Sequence, residues 1–228
     1  MDAGPFALHG TAGPEVRTDD GFRGQSRLFN GESDSFIYVP YSAALDTMGT
    51  LGISAQVTIG SGGPEEDFRT IAARWGPGPE RQSWILFLGG TSAQRSHWPP
   101  AIEPSRESGK LFFALMTDMS PVAQVFVANG LEDWRQGTWN QVAVMFDGSS
   151  VSFYLNGRLD SSFPCFGRIR PSRAPLTIGN VVDHSYESGK EVWYRGLEGA
   201  GFAGWIDEFR ISRIGRETPP ASVEGLDR

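Results

Sequence analysis

Cysteine is nearly absent from this chain: Cys165 is the only one among 228 residues. A disulfide within the chain is therefore excluded. A nucleophilic thiol needs a histidine partner, and no local signature of one surrounds Cys165, so we interpret it as a partly buried free thiol. The sequence also has no Asn-X-Ser/Thr glycosylation site.

Long hydrophobic runs are missing as well. No segment approaches the roughly 18 apolar residues that a membrane helix needs, so we predict no membrane insertion. The first residues, Met-Asp-Ala-Gly-Pro-Phe, lack the basic region and the apolar region of a signal peptide. We therefore expect no signal peptide, and a chain made in a reducing compartment.

Basic residues are few and scattered: 20 Lys and Arg face 27 Asp and Glu, for a net charge of −7. A nucleic-acid binder usually carries a clustered basic patch, so we predict no nucleic-acid partner. His9, His97 and His184 are isolated and do not have the spacing of zinc ligands.

No segment shows a sustained helical period, and 29 Gly and 15 Pro separate short apolar runs. This pattern predicts about a dozen short strands packed as two sheets face to face. Residues 51–59 alternate between apolar and polar, which is typical of a strand with one buried face. The clearest hairpin spans 139–146 and 150–156, around Asp147-Gly148, and Asn156-Gly157 marks the next turn.

The distribution of Gly, Pro and polar residues also divides the chain into segments. Residues 1–23 are predicted to be an N-terminal arm, 24–213 the domain, and 214–228 a polar C-terminal tail. Within the domain we expect two long loops, at 89–109 and 180–201. Loops of this length are uncommon in compact domains and often carry function.

The stretch Phe202 to Ser212 contains an acid in an apolar row. Perfect alternation would place Trp205, Asp207, Phe209 and Ile211 on one face, directed towards the core. A buried carboxylate requires a partner, which could be a metal ion, a basic side chain or backbone donors.

A series of segments resembles, in order, the LamG-like jelly-roll domains of the concanavalin A-like lectin/glucanase superfamily. The resemblance covers about 24–213 and implies an all-β, two-sheet antiparallel jelly-roll sandwich. Its motifs are Leu28-Phe29-Asn30-Gly31 with Phe36 to Pro40, Ile53 to Val57, Ile71 to Trp75, Trp84 to Leu88, Gly137 to Val144 with Phe146-Asp147-Gly148, Val151 to Gly157, Pro175 to Gly179 and Gly204 to Arg210.

The resemblance does not imply an enzyme here. Related glucanases carry acids at alternate strand positions that face one cleft, and the chain has no Glu-X-Asp-X-X-Glu pattern. The acids Glu65, Glu66 and Asp67 are contiguous in a Gly-rich segment, which favours a solvated turn. We therefore predict no catalytic residues, and a glycoside hydrolase is the least favoured reading.

The resemblance also implies a structural calcium ion, because members of the superfamily often bind one at the edge of the sandwich. Asp207 is the position that would act as a ligand, and Asn30 would contribute from the opening turn. The family commonly has Asp where Asn30 stands, so the site would carry less charge. The alternative is that Asp207 caps backbone amides or pairs with an arginine.

Aromatic residues in the two predicted loops are the candidate ligand-binding residues. We expect Trp98, Tyr186, Trp193 and Tyr194 to stack on sugar rings, beside polar neighbours such as His97. The alternative is that these rings pack the loops onto the sandwich. Trp75, Trp84, Trp139 and Trp205 are predicted to belong to the core.

These expectations favour a non-catalytic, lectin-like surface module that binds a glycan or a protein partner. A virion surface, as a phage tail or capsid component, or an extracellular setting would suit such a domain. The alternative is a purely structural virion decoration protein without a ligand. In either case we expect an oligomer or a part of a larger assembly.

Overall fold

The computed structural model describes residues 8–46, 49–60, 69–89, 110–130, 137–188 and 191–213, and within 183–193 it describes the backbone alone. Sixteen strands are assigned: β1 Thr11–Ala12, β2 Arg17–Asp20, β3 Gln25–Asn30, β4 Ile37–Val39, β5 Leu51–Ile59, β6 Arg69–Arg74, β7 Trp84–Leu88, β8 Leu111–Leu115, β9 Gln124–Val127, β10 Asn140–Phe146, β11 Ser150–Leu155, β12 Arg158–Pro164, β13 Leu176–Ile178, β14 Val182–Ser188, β15 Glu191–Gly196 and β16 Ala203–Ser212.

Two seven-stranded sheets pack face to face. Sheet A has the order β1-β4-β13-β6-β7-β8-β9, and sheet B has the order β12-β11-β10-β5-β16-β3-β2. All strand pairs are antiparallel, and a separate hairpin is formed by β14 and β15. The predicted all-β jelly-roll sandwich is confirmed.

Alternation along the strands builds the core between the sheets. On β5, Leu51, Ile53, Ala55 and Val57 are buried at 2% exposure or less and belong to the main hydrophobic cluster. The intervening side chains, such as Gln56, lie on the outer face of sheet B. The period-two pattern of 51–59 therefore predicted both the strand and its buried face.

The predicted hairpin is confirmed as β10 and β11, with Val144 paired to Phe153. Asn156 and Gly157 both have positive φ, at 49° and 77°, and connect β11 to β12 as a two-residue turn. Two consecutive residues with positive φ are what a tight antiparallel hairpin requires, and Asn-Gly is the dipeptide that adopts them most readily.

The described part of the predicted arm, residues 8–23, contributes strands rather than only leading into the domain. Thr11 and Ala12 pair with β4 at the edge of sheet A. Residues 17–20 pair with β3 at the edge of sheet B. Short, polar edge strands carry a weak sequence signal because neither face is buried, which explains why the pattern did not predict them.

The predicted loop at 180–201 was wrong for most of its length, because it contains the β14–β15 hairpin. Its sequence mixes charged, polar and aromatic residues without alternation, so no periodic signal was present. The loop predicted at 89–109 lies almost wholly outside the described residues.

Helical structure in the described ranges consists of two short 3-10 turns, Ala43–Leu45 and Pro79–Arg81. No helix in this part of the chain is long and apolar enough to cross a membrane.

Candidate ligand-binding site

Asp207 does not face the core, contrary to the sequence-based prediction. Between Asp207 and Arg210 the strand β16 contains a bulge, so that three steps on β16 oppose two steps on β5. Glu208 occupies the bulge with a φ of 48°. The extra residue changes the phase: Ile206 faces the core before the bulge, and Phe209 and Ile211 pack against it afterwards.

The partners of Asp207 in the structure are backbone amides. Its Oδ2 accepts a hydrogen bond from the Arg23 N–H at 2.9 Å, and its Oδ1 accepts one from the Glu208 N–H at 2.7 Å. The carboxylate therefore connects the β16 bulge to the turn between β2 and β3. Of the three partners that the sequence left open, backbone donors are the ones observed.

Asn30 lies elsewhere. It pairs with Ala203, whereas Ile206, the neighbour of Asp207, pairs with Arg27. Four positions along a strand separate the two residues by about 13 Å. The Asn30 side chain accepts from the Glu32 N–H and donates to Glu15.

Asn30 and Asp207 therefore do not fit as ligands of one calcium ion. Among the described residues, no group of three or more His, Cys, Asp or Glu is arranged to hold a metal. The expected calcium ion stays a prediction from the family resemblance, without a ligand pair in this structure.

The outer face of sheet A is apolar. Side chains that point away from the main core form a second buried cluster, in which Phe87 and Phe112 stack with centroids 5.1 Å apart. Ile85 and Ala114 occupy neighbouring positions on β7 and β8 and are fully buried. The central strands of this face thus present aliphatic and aromatic groups.

The β14–β15 hairpin emerges beside this cluster from a tightly bonded base. Val181 and Leu197, which flank the two strands, are buried in the cluster and joined by a backbone hydrogen bond of 2.9 Å. Gly196 donates to the Ser33 carbonyl, and the fully buried Asn180 donates to the Glu32 carbonyl. These bonds attach the hairpin to the turn that follows β3.

Three of the four predicted ligand-binding residues lie on this hairpin. Tyr186 and Trp193 are Cα partners across β14 and β15. Tyr194 is partly exposed, and its ring packs against Tyr38 with centroids 5.0 Å apart and planes at 48°. Trp98 lies outside the described residues. The structure therefore brings three of these aromatic positions together beside sheet A.

Tyr38 is a site residue that the sequence analysis missed. It lies on β4, paired with Thr177, and its ring is partly exposed. Its neighbours Ile37 and Val39 pack on the core, so alternation already indicated that Tyr38 faces outward. The contact with Tyr194 depends on residues far apart in sequence and had no local signal.

Two of the four tryptophans predicted for the core are elsewhere. Trp84 is buried in the main cluster, and Trp75 is buried in the cluster outside sheet A. Trp139 and Trp205 are only partly buried. They lie on the outer face of sheet B, because their strand neighbours Asn140 and Ile206 point inward.

Several solved structures share this fold. The binding domain of Paraclostridial Mosquitocidal Protein 1 has a TM-score of 0.62 and 11% identity, over 90% of this chain and 44% of that one. The binding domain of botulinum neurotoxin serotype G has a TM-score of 0.61 and 13% identity, over 93% and 45%. This chain thus spans less than half the length of either toxin domain.

A third similar structure is domain 4 of AbnA, a GH43 extracellular arabinanase from Geobacillus stearothermophilus, in complex with arabinotriose. Its TM-score is 0.51 with 19% identity, over 89% of this chain and 81% of that one. At these identities the likeness shows the fold. No curated protein sequence matches the chain.

A family model described as the concanavalin A-like lectin/glucanases superfamily matches residues 52–217. The match covers most of the chain, from β5 to beyond β16, and agrees with the two-sheet architecture. The chain belongs to the concanavalin A-like lectin/glucanases superfamily.

Proposed function

We propose that this chain is a non-catalytic binding module that recognises a glycan through the aromatic side chains of the β14–β15 hairpin. The observation that carries the proposal is the contact between Tyr194 and Tyr38, two partly exposed rings at the base of the hairpin. Such rings offer apolar faces for the C–H surfaces of a sugar and hydroxyl groups for its polar edge. Tyr186 and Trp193 occupy paired Cα positions further along the same hairpin.

On their outer face, the central strands of sheet A carry apolar, buried side chains, which suits a binding module rather than a glycosidase. Glycosidases typically need two carboxyl groups across a cleft, about 5 to 9.5 Å apart. On the central strands the corresponding side chains include Ile85, Phe87 and Phe112. The similar arabinanase domain, solved in complex with arabinotriose, and the similar toxin binding domains support the same reading.

The setting that we propose is extracellular or on a virion surface, with the chain in a larger assembly. The alternative is a purely structural virion component, which predicts self-association and no glycan binding. Analytical ultracentrifugation of the purified chain, together with a glycan-binding assay, separates the two. A glycan-binding monomer would contradict the structural alternative.

The proposed function is tested on a glycan array with the labelled full chain, followed by calorimetric titration with arabinotriose. We expect signal above background, weakened roughly fivefold by Tyr194→Ala, because one stacking contact is worth about 1 kcal/mol. Phe166→Ala is the control, since Phe166 is 62% exposed and outside the hairpin. A folded chain that binds no glycan would refute the glycan proposal and leave a protein ligand to be sought.

A further inference from the structure

The outer face of sheet B carries a second aromatic surface, away from the hairpin. Trp205 on β16 is paired with Thr58 on β5. Since Asn140 is paired with Val57, Trp139 lies opposite Thr58 on its other side. The two indole rings therefore flank Thr58 in one row across three neighbouring strands, and both are partly exposed.

Phe22 completes this surface. It lies in the turn between β2 and β3 and is 38% exposed. Its ring meets Trp139 edge-on, with centroids 6.3 Å apart and planes at 67°. Because β16 and β5 lie between β3 and β10, the turn must fold across the outer face of both strands. We call Phe22, Trp139 and Trp205 the aromatic platform.

Two carboxylates hold the platform in place. Asp19 Oδ2 accepts a hydrogen bond from the Trp205 indole N–H at 2.8 Å, which fixes the orientation of that ring. Asp207 accepts the Arg23 N–H, which fixes the turn that carries Phe22. Such prior ordering lowers the entropy that a ligand would otherwise have to offset.

Polar groups with unused hydrogen-bonding capacity lie among these rings. Thr58 is 9% exposed, and its buried Oγ has no hydrogen-bond partner in the part of the chain that the structure describes. Two residues before Thr58 on β5, Gln56 forms a second row with its neighbours on the adjacent strands. It is paired with Gln141 on β10 and with Asp207 on β16.

The side-chain amides of Gln56 and Gln141 form no hydrogen bond with the residues that the structure describes. A buried hydroxyl without a hydrogen-bond partner lowers the stability of the fold by about 1–3 kcal/mol. Unsatisfied polar groups of this kind concentrate at functional sites.

We propose that the aromatic platform is a second glycan-binding surface, which takes a neutral saccharide. The indole rings of Trp139 and Trp205, on either side of Thr58, offer faces on which sugar rings can stack. The side-chain amides of Gln56 and Gln141 can both donate and accept hydrogen bonds, as sugar hydroxyls do. The groups without partners are uncharged, which matches a neutral ligand rather than a sulfated or sialylated one. The inference rests on the proposed glycan-binding function and adds a site to it.

The test compares variants on an array of neutral, sialylated and sulfated glycans, after a thermal melt confirms that each is folded. We expect Trp139→Ala and Trp205→Phe to remove or weaken roughly tenfold a subset of neutral-glycan signals that Tyr194→Ala leaves intact. Phe166→Ala, at the far end of the β10–β11 hairpin, is the matched aromatic control and should change nothing.

Thr58→Val gives a second test, because a platform with a purely structural role would not show higher stability together with weaker glycan binding. Removing the unpartnered hydroxyl should raise the melting temperature by roughly 2–4 °C. The same substitution should weaken the platform-dependent signals several-fold. A stabilised variant with unchanged binding would show that the Thr58 hydroxyl does not contact a ligand, and it would overturn this part of the proposal.

The outcomes separate the two sites. If the wild-type chain binds neutral glycans and all platform variants keep the complete profile, the platform proposal fails and the hairpin proposal stands. If Tyr194→Ala removes every signal, the platform also fails. If the platform variants lose only sialylated or sulfated glycans, the neutral class is wrong. If the wild-type chain binds nothing, both proposals fail together.

Discussion

Arg74 is among the largest fully buried side chains, at 1% exposure, and it lies at one end of the core. Its guanidinium contacts the Asp46 carboxylate at 2.8 Å and donates to the carbonyls of Leu45 and Ser172. Asp46 also accepts from the Ser172 N–H and from the Tyr41 hydroxyl. The Arg74–Asp46 ion pair thus attaches the segment after the first 3-10 turn and the segment at Ser172 to the end of β6 in sheet A.

Replacing Arg74 with Met should lower the free energy of unfolding by about 3–5 kcal/mol, because it leaves Asp46 and two carbonyls without their charged donor. Denaturant unfolding measures the change. The control is Arg195→Ala, which removes an exposed pair with Glu198 and should cost less than about 1 kcal/mol. Equal effects of the two substitutions would contradict the assigned role.

Cys165 is a free thiol buried at 1% exposure, which is more complete burial than the partly buried thiol that the sequence predicted. Burial raises the pKa of its thiol to about 11, so the reactive thiolate is scarce at neutral pH. We expect a thiol reagent such as DTNB to label the native chain far more slowly than the chain in guanidinium at pH 8. Rapid stoichiometric labelling of the native chain would refute this.

The same shift predicts a loss of stability in alkali. The unfolded thiol ionises near pH 8.5, below the folded pKa of about 11. The contribution of Cys165 is therefore complete below about pH 8.5 and decreases as the pH rises towards 11. Between pH 8 and 11 the melting temperature of the wild-type chain should fall more steeply than that of Cys165→Ala.

At the scale of single elements, β16 shows how one strand carries several constraints. Gly204 has a φ of 143°, and a Cβ there would collide with the Thr58 carbonyl and lie 2.8 Å from the Gly60 nitrogen. The backbone of β5 thus passes so close that only glycine fits. Four residues later the bulge at Glu208 reverses the faces of the strand.

Gly204→Ala should therefore cost about 3 kcal/mol or more, from the unfavourable φ and the backbone clash together. Gly24 is the matched control: its φ is 70°, but nothing lies within 4 Å of an added Cβ. Gly24→Ala should cost only about 1–2 kcal/mol. Denaturant unfolding that gave both variants the same stability would contradict the close approach of β5 and β16.

At the scale of the whole molecule, the N-terminal residues belong to both sheets. Strand β1 closes one edge of sheet A, and β2 closes one edge of sheet B and carries Asp19. A chain that begins at residue 24 should melt at a clearly lower temperature, because it loses both edge strands and the turn residue Phe22. A chain that begins at residue 8 keeps both edge strands and is the control, so it should melt above the shorter chain.

The calcium expectation is also tested on the whole molecule. The family resemblance predicts that EDTA lowers the melting temperature, whereas Asn30 and Asp207, about 13 Å apart, do not form the site from which an ion would be lost. A fall on chelation that added calcium reverses would show a bound ion held by other ligands. Asp207→Asn, by contrast, should lower the melting temperature with or without EDTA, because it weakens the bonds to the Arg23 and Glu208 amides.

Local features of the sequence determined the sandwich. Alternation in 51–59 identified the buried face of β5, and Asn156-Gly157 marked a turn with positive φ, because both signals act between neighbouring residues. The predicted aromatic candidates Tyr186, Trp193 and Tyr194 come together for the same reason, since they are close in the chain and share one hairpin.

Only the tertiary structure decided which face each site residue occupies. No glycine or proline marks the position of the bulge at Glu208 in the sequence. With this bulge, Asp207 faces the Arg23 amide, 184 residues away, instead of the core. The contacts of Phe22 with Trp139 and of Asp19 with Trp205 likewise join distant strands. Such pairings depend on sheet order and register, which long-range packing selects and no local pattern encodes.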